Sequence, residues 1–164
     1  MNELLQNLVE SLREELKQYG ELLALLDLQQ DQVVRRLTAE LLETVSDINT
    51  QGEAIRLARH EREQRQRDLA VSLDLPGEAL LAVVVPRLPA PYRPLVEALV
   101  EENNQLLTRV KQRARQNHLL LRRSLELMDR FINAICAAGA PTYDESGAMT
   151  PPAAPGRPLY EGIC

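Results

Sequence analysis

Apolar residues recur at alternating spacings of three and four in two long stretches of the chain. The stretches cover residues 1–75 and 95–140, and neither contains a proline. Because this alternation repeats about every 3.5 residues, it predicts helices that pack through a coiled-coil seam. The first half of the first stretch has polar interruptions at Glu15 and Gln29, and its apolar seam consists of Leu5, Leu8, Leu12, Tyr19, Leu22, Leu26 and Val33.

The first stretch is long enough for two helices. A break near Arg36–Thr38, with Thr38 as the N-cap, would divide it into helices over about residues 2–36 and 38–72. One continuous helix would show nearly the same pattern. A helical hairpin is favoured because it buries the apolar seam, whereas a lone helix leaves that seam in water.

The prolines mark the remaining boundaries. All ten fall in two patches, and a proline inside a helix costs about 3 kcal/mol. We therefore expect a proline-rich linker over residues 74–91 with one short helix through Glu78–Val85, and a third long helix over about residues 92–138. The prediction is an all-α fold: an elongated antiparallel three-helix coiled-coil bundle over residues 1–138, with a flexible proline- and glycine-rich tail over residues 139–164.

Composition excludes several classes of partner. The net charge is −5, whereas electrostatic binding of nucleic acid usually needs a basic excess. No apolar run approaches the roughly 18 residues of a membrane span, and the acidic start does not resemble a secretory signal. The two cysteines form no disulfide framework. We expect a cytoplasmic protein that does not bind nucleic acid and does not insert into a membrane.

The candidate chemistry is sparse. The two histidines, His60 and His118, have no acidic residue at the helical spacing of metal ligands. Cys136 lies among apolar residues and is best interpreted as a small hydrophobic side chain. Phosphate-binding loops and nucleophile motifs are missing from the sequence. We expect no enzymatic activity, no metal and no cofactor.

One segment of the third helix has more apolar residues than a single seam needs. Between Leu119 and Cys136 the first face carries Leu121, Leu125, Met128, Ile132 and Ile135, and the second carries Leu120, Leu127 and Phe131. Two interpretations remain open: a central helix that contacts two neighbours, or a surface for a partner helix. The adjoining tail favours binding, since such tails often fold onto partners. Asn117, on the seam, is typical of a residue that fixes register.

The segment Arg59–Asp68 is charged on every helical face. We interpret it as a solvated helix end stabilised by pairs such as Glu61–Arg65 and Glu63–Arg67. A site for an anionic lipid or a nucleic acid is the alternative. The acidic residues interspersed in this segment argue against that alternative.

The order of these features resembles the FlgN family of flagellar export chaperones. The resemblance begins with Tyr19–Leu26 (YGELLALL) and continues with an arginine-rich helix end around Arg62 and a proline-containing linker. Its most specific part is the stretch from Asn117 to Met128 (NHLLLRRSLELM), and it ends with Thr142–Gly147 (TYDESG). Two positions depart from the family pattern: Ala114 stands where a second Asn is common, and Arg36-Leu37-Thr38 replaces a Gly-Asp turn.

The resemblance implies a cytosolic chaperone that holds the C-terminal helical segment of hook-associated flagellar proteins and delivers them to the export gate. The cargo contacts implied by position are Leu120, Leu121, Leu125, Met128, Phe131 and Ile132. Tyr143 is the candidate contact for the export gate, and Asn117 and Asp144 complete the candidate partner-binding set. The alternative is a self-associating structural coiled-coil adaptor that buries residues 119–136 in a homodimer. The sequence does not determine the oligomeric state.

Overall fold

The computed structural model describes residues 2–137. These residues contain no β-strand, so the predicted all-α class is confirmed. The long helices are α1 (Asn2–Arg35), α2 (Thr38–Ser72) and α4 (Arg93–Ala137), and the linker contains the short α3 (Leu81–Val84) followed by a 3-10 helix (Val85–Arg87). The described residues divide into two compact units, residues 2–120 and residues 121–137.

A tight reversal joins α1 to α2. Arg36 adopts a left-handed conformation with φ of 60°, and the next amide, that of Leu37, donates to the Gln32 carbonyl at 3.0 Å. This is the Schellman arrangement, which usually has glycine at the left-handed position. Leu37 then occupies the N-cap of α2 without a side-chain cap. The prediction that Thr38 is the N-cap is therefore wrong, because the reversal is complete one residue earlier and Thr38 is already helical.

In the first unit α1 contacts both α2 and α4. Its contacts with α2 run antiparallel: the Gln51 side chain donates to the Gln18 carbonyl at 3.0 Å. Its contacts with α4 run parallel, since the Asn103 amide donates to the Leu12 carbonyl at 3.0 Å and the Asn117 amide donates to the Leu26 carbonyl at 2.7 Å. All of these side-chain hydrogen bonds have α1 as one partner.

The larger apolar core surrounds the start of α1. Leu5, Leu8 and Leu12 are almost fully buried there, together with residues from the end of α2, the linker and the start of α4. Pro86 is the second residue of the 3-10 helix, where a missing N–H costs little. The predicted bounds of the short helix, Glu78–Val85, are wrong: α3 begins only at Leu81, and the 3-10 helix continues to Arg87. The other buried members of this core are Val9, Leu69, Ala70, Val84, Val85, Leu88, Val96 and Leu99.

A smaller core lies farther along α1, where Tyr19, Leu23 and Leu26 pack with Val110 of α4. The α2 residues that pack against this core, Ile48 and Ile55, are only partly buried. The fully buried residues of this part of α2 are the smaller Thr44 and Ala58. Small residues let two helices approach closely. Beyond Leu26 the buried residues become polar: Gln29, Gln32 and Asn117.

Candidate functional site

The C-terminal part of α4 exposes a dense set of large apolar side chains. Leu125 and Phe131 are 66% and 65% exposed, and Ile132, the least exposed of the set, is 50% exposed. Six such residues occur between positions 125 and 135: Leu125, Leu127, Met128, Phe131, Ile132 and Ile135. We call these six residues the α4 apolar surface.

The same segment is a good helix former, which explains why it remains helical with so much apolar area in water. Leucine, arginine, glutamate and methionine have high helix propensity. The Arg122 side chain also donates to Glu126 at 3.0 Å, four residues later, and pairs of this kind add a few tenths of a kcal/mol, about 0.2–0.5. Charged residues occupy one side of this segment and the α4 apolar surface occupies the other.

Exposed apolar residues elsewhere are more scattered. Val34, Leu42 and Leu57 are also largely exposed, but before Leu119 no stretch of eleven described residues contains more than three large apolar residues that are exposed. Single exposed apolar residues are ordinary on protein surfaces, whereas a concentrated set marks an interaction surface. The α4 apolar surface is therefore the best candidate for the functional site.

The structure divides the other predicted site residues into three groups. Leu120 and Leu121 are half-buried. Asn117 is only 2% exposed, and its amide donates to the Leu26 carbonyl and, at 2.8 Å, to Gln29. Tyr143 and Asp144 lie outside the described residues.

A buried polar cluster in the first unit was missed by the sequence interpretation. Glu15 of α1 is 5% exposed; its carboxylate accepts from the Arg62 guanidinium at 2.7 Å and from the Tyr19 hydroxyl at 2.9 Å. Arg59 donates to the Tyr19 hydroxyl at 2.6 Å. The interpretation of Arg59–Asp68 as a solvated helix end is wrong for Arg62, whose side chain is only 16% exposed, whereas Arg59 is 45% exposed and fits it. The available signal was Glu15 on the α1 seam, since a buried carboxylate needs a cation from the facing helix.

This cluster perturbs the proton affinity of two of its members. Burial raises the pKa of the Tyr19 hydroxyl; the hydrogen bond from Arg59 opposes that rise, and the Glu15 carboxylate adds to it. The hydrogen bond to Tyr19 raises the pKa of the Arg59 guanidinium. Both shifts favour a neutral tyrosine beside a charged arginine, as expected for a structural network.

Other kinds of site find little support in the described residues. A pocket of about 330 Å³ lies over the cluster, but the charged groups that line it pair largely with one another. No group of three His, Cys, Asp or Glu side chains among residues 2–137 is placed to hold a metal ion. Each helix of that same part of the chain is too short or too polar to cross a membrane.

Comparison with known families identifies the chain. The family described as FlgN protein matches residues 1–151. The chain belongs to the FlgN family. The resemblance seen in the sequence is thus confirmed, and with it the general role of FlgN proteins as flagellar export chaperones, a family not known for enzymatic activity. No curated protein and no solved structure matches this FlgN protein.

Proposed function

We propose that this FlgN protein is a cytoplasmic export chaperone that binds hook-associated flagellar proteins and delivers them to the flagellar type III export apparatus. The observation that supports the proposal is the α4 apolar surface. The client segment is a terminal amphipathic helix, which lays its apolar side on that surface as helices do in apolar grooves.

The size of the surface suits reversible binding. Each of its six side chains is between half and two thirds exposed, so covering each one contributes about 1–2 kcal/mol. The total is on the order of 10 kcal/mol before the cost of association, which is about 4–15 kcal/mol. Flanking contacts are then needed to reach micromolar affinity. A client that must be released does not require an affinity tighter than micromolar.

Two half-buried residues extend the proposed client site. Leu120 and Leu121 precede the α4 apolar surface, and a client helix that covers Leu125 would contact them as well. We leave Asn117 out of the client site because its amide is occupied by α1. The contact with the export gate is assigned to Tyr143, on the basis of the family resemblance of that segment, and Asp144 remains a candidate partner-binding residue.

Co-purification tests this proposal. The full chain is expected to retain intact hook-associated proteins. It is not expected to retain variants of these proteins that lack the terminal helical segment. Deleting residues 139–164 is expected to remove much of the affinity, since the tail would fold over the bound client. Equal retention by the truncated chain would remove the tail from the client site. Failure to retain any hook-associated protein would contradict the proposed function itself.

A further inference from the structure

Four of the six residues of the α4 apolar surface, together with Leu121, have the spacing of a coiled-coil seam. Leu121, Leu125, Met128, Ile132 and Ile135 follow one another at steps of four, three, four and three. These steps alternate the two apolar positions of a heptad, so a second helix can pack along all five residues. In the second unit the four seam residues from Leu125 onward are at least half exposed.

The residues that flank this seam identify what fits it. Arg122 and Asp129 follow Leu121 and Met128 directly, so they lie one heptad apart on the same side of the seam. Flanking positions of this kind carry the charges that set partner and orientation in coiled coils. Here the two charges have opposite sign.

Opposite charges one heptad apart become complementary when the helix meets a reversed copy of itself. With Leu125 against Met128 of the second copy, Leu121 meets Ile132, and Arg122 meets Asp129. The two-fold axis repeats each of these contacts, as in any isologous interface. Two parallel copies would place Ser124 opposite Asp129 and gain no ion pair. The charge pattern therefore favours an antiparallel pair.

We propose that the client-free protein forms an antiparallel homodimer through the Leu121–Ile135 segment of α4. Arg122 is available for the new contact because its bond to Glu126 is between side chains that are 69% and 51% exposed, and exposed pairs of this kind are weak. The dimer covers the surface that a client would cover. This competition rests on the proposed function; the pairing itself does not.

Charge reversal in the full chain tests the pairing. Sedimentation is expected to show a concentration-dependent dimer of the natural sequence. Arg122→Asp alone and Asp129→Arg alone each create two like-charge contacts, and each is expected to weaken the dimer about tenfold or more. An equimolar mixture of the two variants restores opposite charges and is expected to form a heterodimer. The variant with both reversals is expected to form a homodimer again.

Arg123→Asp is the matched control, because Arg123 lies on the side away from the seam and its reversal is expected to leave the dimer unchanged. Circular dichroism of each variant verifies that α4 remains helical. A monomer at every concentration would overturn the proposal, as would a dimer insensitive to both reversals or one that mixing does not restore.

Client binding measured on the same samples separates the two proposals. Adding a hook-associated terminal segment is expected to dissociate the dimer. A charge-sensitive dimer that ignores every such segment would leave the pairing intact and remove the chaperone role. Client binding by a protein that is monomeric at every concentration would support the chaperone role and remove the pairing.

Discussion

Asn117 of α4 donates its buried side-chain amide to the backbone carbonyl of Leu26 in α1 at 2.7 Å. Two heptads earlier in both helices, Asn103 makes the same contact with Leu12 at 3.0 Å. The repeat fixes the register of α4 against α1, which is a role that buried asparagines commonly have in coiled coils. The second buried asparagine that bonds to α1 is thus Asn103, whereas Ala114, three residues before Asn117, has no side-chain amide.

We expect Asn117→Ala to lower the free energy of unfolding by about 1–2 kcal/mol. The substitution removes the donor to Leu26 and leaves the buried side chain of Gln29 without this partner. Urea unfolding followed by circular dichroism gives the measurement. Asn104→Ala is the control, because Asn104 is exposed and its loss is expected to change stability by less than about 0.5 kcal/mol. Equal losses in the two variants would refute the register role.

Glu15 provides a test of the buried polar cluster that it forms with Tyr19, Arg59 and Arg62. Glu15→Ala leaves the largely buried Arg62 guanidinium without its carboxylate, and we expect a loss of about 2–4 kcal/mol. Combining Glu15→Met with Arg62→Met should recover most of that loss, because both charges are then absent. The exposed Lys17–Glu21 pair, at 3.9 Å, is the comparison: Glu21→Gln should cost less than about 0.5 kcal/mol. If the losses of unfolding free energy in the single variants Glu15→Met and Arg62→Met add up to the loss in the double variant, the two side chains do not interact.

The helical class followed from the sequence because leucine spacing and proline placement are local signals. The all-α content needed nothing further, whereas the sequence left open whether the apolar residues of 125–135 are packed or exposed, and the structure shows them exposed. What the sequence could not show is which polar residues turn inward. Arg59 and Arg62 lie in a segment charged on every face, and only the packing of α2 on α1 brings them to Glu15 and Tyr19.

The reversal between α1 and α2 offers a stabilising substitution. Arg36 has a φ of 60°, a conformation that costs a residue with a side chain roughly 1 kcal/mol and costs glycine little. We expect Arg36→Gly to raise the free energy of unfolding by about 0.5–1 kcal/mol. Arg35→Gly, at the last helical residue, should instead lower it. A loss of stability in Arg36→Gly would mean that the arginine side chain contributes more than its backbone conformation costs.

The raised pKa of Tyr19 predicts how the free energy of unfolding changes at alkaline pH. Since the folded protein raises the pKa of Tyr19, the folded state holds this proton more tightly than the unfolded chain, whose tyrosines titrate near pH 10. The resulting stability is fully present below about pH 10 and is lost as pH rises through the folded value. Between neutral and alkaline pH, the natural sequence should lose more stability than Tyr19→Phe. Parallel curves for the natural sequence and Tyr19→Phe would contradict the prediction.

The sequence indicated the apolar residues of the candidate site, but it did not show which neighbouring residues lie outside that site. Leu125, Met128, Phe131 and Ile132 lie in apolar stripes that helical periodicity indicated, the family resemblance implied them as client contacts, and they are exposed. Asn117 was placed in the same set, but periodicity alone cannot show that α1 supplies the acceptors for its amide. Such a contact joins residues far apart in sequence, so it becomes visible only once the register of α1 and α4 is known.

The most direct test of the chaperone role is the affinity of a hook-associated terminal segment for paired surface variants, measured by titration calorimetry. Leu125→Asp combined with Phe131→Asp places two charges within the α4 apolar surface, and we expect affinity to fall at least a hundredfold, since buried unpaired charges are costly. The control combines Val34→Asp with Leu42→Asp, whose side chains are 69% and 71% exposed, and it should bind normally. Equal affinity of the α4 variant and the control would contradict the central claim.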